Sequence, residues 1–517
     1  MHWQLVVGRA KKTSGLTWAD LGRKAREHFG VRQLRPGQRE LIETVLNGGD
    51  AFGIMPTGAG KSLCYQLPAL FLPKATVVVS PLLSLMQDQT EKLEEAGVET
   101  AKLDSTLTAR EERETTRTVK KGQAELIYVT PERLENPKHL AVLKKSGVSL
   151  VVIDEAHCLS QWGHDFRPAY LNLRRAIDEL GRPPILILTA TATPEVEADI
   201  LAQLKIPNTP VYSAGIDRPN LEFRVARTVN EEAKFKRLLD TLEEQKGNGI
   251  VYVSTVKLAE ELYGRLIKEG VKAGIYHGKL NSADRESHQH EFMENRYKVM
   301  VATKAFGLGI DKPDVRFVVH YTFPDSVESY YQEAGRAGRD GKKAVAILLY
   351  RLEDKRVHSY FLGGKYPTRA DAGKIYQTIL QLSQHDDKAI ALEKVIEVSG
   401  IPSTKARVLL SYLEKEGIVK RGKGVKLSRV FTDAESFEEF LRHYDERYRA
   451  DVERIERIMK YGQTAECRAQ FFREYFKEEK GKACKKCDNC RTKLAKPVAL
   501  PKAIPLPVPM PIRAIAS

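Results

Sequence analysis

Three clusters in this 517-residue chain have residue types and spacings suited to chemistry. The first is Pro56-Thr57-Gly58-Ala59-Gly60-Lys61-Ser62, which follows a short apolar run and precedes a helical pattern, Leu63 to Leu72. Glycines let successive backbone N–H groups close round phosphate oxygens, and the helix N-terminus adds partial positive charge. Lys61 is placed to reach the β/γ oxygens and Ser62 to ligate magnesium. Met55 stands where the general phosphate-loop pattern has its first glycine, so a plain glycine turn before a helix is the competing reading. The second cluster, Asp154-Glu155-Ala156-His157, closes the apolar pattern Leu150-Val151-Val152-Ile153. Ligands of open α/β sheets sit at the C-terminal ends of strands. Asp154 is therefore placed to hold the magnesium, and Glu155 to orient and activate the attacking water. Cys64 and Cys158, beside these clusters, read as small buried hydrophobes. The third cluster is Cys484, Cys487 and Cys490, three sulfurs and one short of a tetrahedral metal site.

The elements that must position these residues follow from the periodicity. From Phe29 to about Tyr350, short β-branched runs alternate with helical stretches; Thr76–Val79, Val151–Ile153, Ile185–Leu188, Ile250–Val253 and Val315–Val319 are examples. That alternation predicts parallel α/β sheets, and Ile206-Pro207-Asn208-Thr209-Pro210 marks a break between two lobes. Amphipathic helical patterns at Ile375–Leu382, Leu392–Val398 and Lys405–Glu416 lead into the basic stretch Gly417–Leu427, a winged-helix-like order. Phe437 to Phe476 reads as long charged helices with an apolar stripe. The chain closes on a proline-rich tail, expected to be extended or disordered and a possible protein-binding segment.

The order of motifs resembles a superfamily 2 helicase, and more narrowly the RecQ family. Besides the two clusters above, it rests on Thr189-Ala190-Thr191-Ala192-Thr193 and on Gln332-Glu333-Ala334-Gly335-Arg336-Ala337-Gly338-Arg339-Asp340-Gly341. The narrower match is carried by Leu34-Arg35-Pro36-Gly37-Gln38, by His157 through Pro168, and by Ala305 through Arg316. It covers roughly residues 28–350 and resumes near 441. The resemblance implies two RecA-like lobes with ATP between them, Arg35 and Gln38 near the nucleotide and Gln38 on the adenine edge. Without it, Gln38 would read as an exposed turn glutamine. It also implies that Arg339, with Arg336 beside it, reaches across the cleft to the γ-phosphate, so that hydrolysis depends on lobe closure. Trp162, Phe166 and Arg167 match the aromatic-rich loop through which the family reports DNA binding to the ATPase site; bases can stack on such rings, and core packing of Trp162 is the alternative. Cys467-x16-Cys484-x2-Cys487-x2-Cys490 has the family's zinc spacing. An iron–sulfur cluster is the rival, although the ferredoxin run would need its next cysteine where Leu494 stands.

Domain expectations are an N-terminal extension (1–27), an ATP-binding lobe (28–207), a second lobe (208–350), a linker and winged-helix-like module (351–440), a zinc-binding module (441–493) and the tail (494–517). The order departs from the family, where the zinc module follows the second lobe closely and a winged helix comes after it. In the basic hairpin, Lys420, Arg421, Lys423 and Lys426 are candidates for duplex phosphates, with a solvated hairpin on a packing domain as the alternative. Eighty-three basic and 68 acidic residues leave a formal charge of +15, which favours a polyanionic partner. There is no apolar run of roughly eighteen residues. The opening MHWQLVVGRAKK does not have the order of a signal peptide. The expectation is a bacterial cytoplasmic, nucleoid-associated protein that does not engage membrane. The cofactors implied are ATP, magnesium and zinc, and the function implied is ATP-driven 3′ to 5′ unwinding of DNA, on single strands and duplex, in repair or recombination. An RNA helicase or duplex translocase, and a zinc-stabilised nucleic-acid-binding scaffold without motor activity, are the alternatives.

Overall fold

The structure is a computed structural model that describes residues 16–104, 106–160, 167–307, 312–358, 368–384, 389–422 and 424–494. Trp162, Phe166, Lys423 and the proline-rich tail lie outside the described residues. Among those described, no helix is long and apolar enough to cross a membrane.

The first sheet is built from β1 (Ala51–Ile54), β2 (Ala75–Val79), β3 (Thr100–Leu103), β4 (Leu126–Val129), β5 (Val148–Ile153), β6 (Ile185–Thr189) and β7 (Val211–Ser213), in the order β3-β4-β2-β5-β6-β1-β7. All pairings are parallel. Successive residues of a strand point to opposite faces, so a strand covered on both sides must be apolar throughout. Val77, Val79, Val151 and Ile153 enter one core while Val78, Leu150 and Val152 enter the other. The second sheet has β8 (Leu221–Arg227), β9 (Gly249–Tyr252), β10 (Ala273–Tyr276), β11 (Val299–Ala302), β12 (Phe317–His320) and β13 (Ala344–Tyr350), in the order β10-β11-β9-β12-β13-β8, again all parallel.

Two expected boundaries need correction. The break placed at 207/208 comes too early: β7 pairs with β1 at the edge of the first sheet, Phe52 opposite Val211. Pro207 and Pro210 sit in a turn within that lobe, and the crossing comes after Ser213. The boundary at 440/441 falls inside a single helix, Ala434–Gln463, whose 30 residues span roughly 45 Å. Asp433 starts it, accepting from the Ser436 N–H at 2.7 Å, and no proline or glycine interrupts it before Gly462. Its first half gives Phe440 and Leu441 to the core of the 369–427 module. Its second half gives Ile455, Ile458 and Tyr461 to one face of the second sheet, with Phe471 and Phe472 from the next helix and Phe476 just past its end. Gly462 permits the approach, since a Cβ there would lie 2.3 Å from the Tyr350 ring. The helix that follows Cys467 is thus built into the second lobe's core.

The 369–427 module comprises helices Arg369–Ser383, Leu392–Ser399 and Ser403–Lys415 followed by an antiparallel hairpin, β14 (Val419–Arg421) and β15 (Val425–Leu427). Ile375, Val395, Leu409, Leu413, Val419 and Val425 close its core.

Candidate active site and metal centre

Because β1, β5 and β6 run parallel, their C-terminal ends deliver Met55 to Ser62, Asp154-Glu155 and the 189–193 segment to one edge. A cleft of about 470 Å³ opens there, lined from the first lobe by Arg35, Gln38, Thr57, Gly58, Gly60, Lys61, Ser62, Asp154 and Glu155. From the second lobe come Gln332, Arg336 and Arg339. The two loops touch: a Cβ at Gly58 would lie 3.2 Å from Arg339 Cγ, and one at Gly335 would lie 3.3 Å from Thr57 Cβ. Gly58 (φ +83°) and Gly60 (φ +82°) occupy the left-handed region that the turn requires.

The loop's carbonyls are tied back from outside the turn. Arg35 Nη1 donates to the Gly58 carbonyl. Gln38 Nε2 donates to Gly60 O at 2.8 Å and Ala59 O at 3.3 Å, while its Oε1 accepts from Arg35 N at 2.7 Å. Gln38 is buried, unlike an exposed turn glutamine, and backbone occupies both ends of its carboxamide. Lys61 Nζ donates to Met55 O at 3.4 Å.

Asp154 is buried, and its Oδ1 accepts from the Glu155 N–H at 2.9 Å. Burial and the neighbouring Glu155 charge push its carboxyl up to about 7, against the pull of Lys61. A divalent cation beside it would remove both penalties. Glu155 takes φ +48°, ψ +46°, a left-handed conformation uncommon for a non-glycine residue. Its Oε2 lies 3.4 Å from His157 Nδ1, which lies 3.1 Å from Thr189 Oγ1. Thr189 in turn donates to Thr191 O at 3.1 Å. His157 therefore lies between the acidic pair and the 189–191 segment, hydrogen-bonded to Thr189 and beside the Glu155 carboxylate.

Arg336 is buried, its Nε has no hydrogen-bond partner among the described residues, and a Cβ at Gly307 would lie 2.9 Å from its guanidinium. A buried cation facing a cleft that also holds Lys61, Arg35 and Arg339 favours a polyanionic ligand. Cys64 and Cys158 are buried, and burial pushes the Cys64 thiol up to about 12. Neither lines the cleft.

Of the nucleic-acid candidates, Arg167 donates through Nη1 to Pro81 O at 3.1 Å, within the first lobe. In the hairpin Lys420 and Lys426 are exposed, and Arg421 is held by Glu414 through its N–H at 3.0 Å and Nε at 2.6 Å. One arginine went unread in the sequence. Arg218, between the sheets, reaches the phosphate loop and the arginine loop together. It belongs to no charged cluster, and a lone Arg-Pro in a linker carries no local signal.

Cys467, Cys484, Cys487 and Cys490 bring their sulfurs within 4.8 Å of one another. Cys484 Sγ and Cys490 Sγ are 4.0 Å apart, near the roughly 3.8 Å edge of a tetrahedron with 2.3 Å zinc–sulfur bonds. The Cys484 N–H donates to Cys467 Sγ at 3.2 Å, and the Cys487 N–H to Cys484 Sγ at 3.4 Å. Burial raises the Cys467 thiol, but N–H groups of Cys484 and Gln470 outweigh it and bring it down to about 7. Four thiolates so arranged fit a structural zinc ion. Between them Asp488 accepts from the Val225 N–H of β8 at 3.0 Å and binds buried Arg468 through both oxygens, at 3.0 and 2.8 Å. The metal loop thereby covers the open edge of the second sheet.

Comparison with known proteins agrees with this geometry. The DEAD/DEAH box helicase family matches residues 35–200, the helicase conserved C-terminal domain 233–341, and the RecQ zinc-binding domain 431–491. The chain is 38% identical to the probable ATP-dependent DNA helicase RecS of Bacillus subtilis over 74% of this chain and 77% of that protein. It is 45% identical to the ATP-dependent DNA helicase RecQ of the same organism over 65% of this chain and 57% of that one. For the RecQ of Haemophilus influenzae the values are 43%, 63% and 52%, so the chain spans little more than half of these RecQ relatives. Among solved structures, S. cerevisiae Dbp5 bound to RNA and ADP BeF3 superimposes with a TM-score of 0.54 at 22% identity, covering 67% of this chain and 90% of that one. Mycobacterium smegmatis helicase Lhr bound to ssDNA and AMP-PNP gives 0.53 at 19%, covering 81% and 62%. At such identities the two structures speak for the two-lobed fold alone.

Proposed function

The chain belongs to the RecQ family of superfamily 2, the ATP-dependent DNA helicases, and from that premise we propose that it hydrolyses ATP between its lobes to move 3′ to 5′ along one DNA strand and separate the complement. The observation that carries this reading is the convergence of Lys61, Asp154, Glu155, Arg336 and Arg339 on one cleft from two separate sheets. A site assembled from both lobes is complete only when they are closed, so each turnover is tied to a movement.

In this reading the phosphate-loop N–H groups and Lys61 hold the β- and γ-phosphates, with the loop carbonyls restrained by Arg35 and Gln38. Adenine recognition by Gln38 requires it to exchange a backbone partner for the base edge. Ser62 and Asp154 would hold magnesium, whose charge screens the phosphate oxygens. Glu155, set beside Asp154 by its left-handed backbone with His157 3.4 Å from its carboxylate, orients the attacking water. Arg339, assisted by Arg336, stabilises the charge that builds on the transferring phosphoryl group. Trp162 and Phe166, with Arg167 anchoring their loop to Pro81, report single-stranded DNA to His157 and Glu155. The 369–427 module acts as a winged helix gripping duplex, with Lys420, Lys423 and Lys426 along phosphates, and Arg421 engages DNA only by leaving Glu414. The setting is the bacterial nucleoid, in repair or recombination.

The test compares ATP hydrolysis stimulated by single-stranded DNA, duplex DNA and RNA, alongside unwinding of duplexes with a 3′ or a 5′ tail. Single-stranded DNA should stimulate most, and only the 3′-tailed duplex should be opened. Stronger stimulation by RNA, or unwinding from the 5′ tail alone, would overturn the assignment.

A further inference from the structure

Between β7 and β8 the chain runs through Gly215 to Asn220, and Arg218 in this crossing binds both halves of the cleft. Its guanidinium donates to Thr57 O in the phosphate loop at 2.8 Å. It also donates to Gly335 O at 3.0 Å, Ala337 O at 3.0 Å and Gly338 O at 3.3 Å in the arginine loop. Only a planar fork with five donors can serve four carbonyls at once. Gly335 and Ala337 flank Arg336, and Gly338 precedes Arg339, so the bonded carbonyls belong to the peptides that aim the two arginines. Asn220 Nδ2 adds bonds to Gly338 O at 2.7 Å and Lys342 O at 2.8 Å.

The crossing is itself held from the metal loop. Lys486, in the turn between Cys484 and Cys487, donates from Nζ to Arg218 O at 2.8 Å and Pro219 O at 2.7 Å. Arg473 pairs with Asp217 and donates to Lys482 O at 3.0 Å. Lys477 of the same segment pairs with Glu195 of the first lobe. A continuous set of polar contacts therefore runs from the cysteine cluster through Lys486 and Arg218 to Thr57 and the arginine loop.

We infer that Arg218 is a positioning residue for ATP hydrolysis, holding the arginine loop of the second lobe against the phosphate loop, and that the zinc module sets this position through Lys486. The inference rests on the reading of Arg339 as the group that stabilises phosphoryl transfer. Arg218 itself binds carbonyls and acts only through the loops it holds. Its removal therefore misdirects Arg336 and Arg339, whereas the phosphate loop loses one of several restraints and is still held by Arg35 and Gln38 at Gly58, Ala59 and Gly60, so that Lys61 and the loop N–H groups remain to bind nucleotide.

The experiment uses the full chain with saturating single-stranded DNA. It measures kcat and KM for ATP, and affinity for a non-hydrolysable ATP analogue, in Arg218→Ala, Arg218→Lys, Arg339→Ala, Lys486→Ala and the Arg218→Ala/Arg339→Ala double variant. Arg218→Ala should lower kcat roughly 10–100-fold while analogue affinity stays near wild type. Arg218→Lys, which keeps the charge without the fork, should recover part of that activity. The double variant should be no slower than Arg339→Ala, because both changes disable one group. Lys486→Ala, checked to retain its zinc, should show a smaller decrease confined to kcat. Multiplicative effects in the double variant, a parallel fall of kcat and analogue affinity in Arg218→Lys, or unchanged kcat in Lys486→Ala would each overturn the inference. If Arg218→Ala does not fold, Arg218→Lys and Lys486→Ala decide. Wild-type kcat in Arg339→Ala would instead remove the underlying arginine assignment, an outcome distinct from the others.

Discussion

At the scale of single residues, the acidic pair shows how neighbouring carboxyls acquire different work. Asp154 is buried and pushed up to about 7, a penalty that cation binding relieves, whereas Glu155 is turned aside by its left-handed backbone toward His157. Replacing Glu155 by Gln keeps the shape and removes the charge proposed to orient water. Nucleotide and single-strand binding should persist in Glu155→Gln while kcat falls by roughly 10²–10⁴-fold, the usual worth of a positioned base. Steady-state hydrolysis and equilibrium binding measured on one preparation check this, and near-normal turnover would take Glu155 out of the role. In the aromatic loop, Trp162→Ala with Phe166→Ala should leave DNA-independent hydrolysis in place and reduce its stimulation by single strands, because the pair removes stacking surface and leaves the phosphate chemistry intact. Stimulation that stays at the wild-type level would return both rings to packing.

Elements carry the connections that residues cannot. The Ala434–Gln463 helix serves two cores at once, so the 369–427 module and the second lobe share one rigid member. Arg449 is exposed between these two anchorages. A proline there removes an intrahelical bond and costs the helix about 3 kcal/mol without touching either core. Spin labels on the Ser403–Lys415 helix and on the Val256–Lys268 helix of the second lobe should give a broadened distance distribution in Arg449→Pro, and unwinding should fall more than ATP hydrolysis. An unchanged distribution would mean that other interactions fix the module. The metal loop is the second such connection, since its Asp488 satisfies β8 and buried Arg468 together. About one zinc per chain is expected, with no visible iron–sulfur absorbance. Cys487→Ser should lower the melting temperature of the second lobe, with a nucleotide-dependent transition of the first lobe surviving. Stoichiometric iron with a visible charge-transfer band would contradict the zinc assignment.

For the whole molecule, the relevant quantity is how a chain of formal charge +15 distributes its grip on DNA. Neutralising Lys420, Lys423 and Lys426 should weaken duplex binding and flatten its log–log salt dependence by roughly 0.9 for each phosphate that is no longer neutralised. Adding Arg421 to the set should change little, because Glu414 already neutralises that guanidinium. Duplex affinities measured across a salt series for the triple and quadruple variants check both statements. An unaltered slope in the quadruple variant would move the duplex grip elsewhere on the protein.

The phosphate loop, the acidic pair, the cysteine spacing and the two-sheet organisation were legible in the amino-acid order because each is local. A glycine turn before a helix, two acids at the end of an apolar run and a C-x2-C-x2-C segment are made by neighbours, and strand periodicity states that a face is buried. Periodicity does not state what buries it. That β7 returns to the first sheet, that one helix divides between two cores, and that Phe471 and Phe472 complete the second lobe were settled by which apolar faces remained uncovered when the sheets formed. Arg218 belongs with these. Its partners are backbone carbonyls more than a hundred residues away, on two loops whose side chains give no sign of it. A carbonyl is present at every position, so no residue type in the sequence can announce such a bond; only the folded chain, by bringing Thr57 and Gly335 together, creates the place that one guanidinium fills.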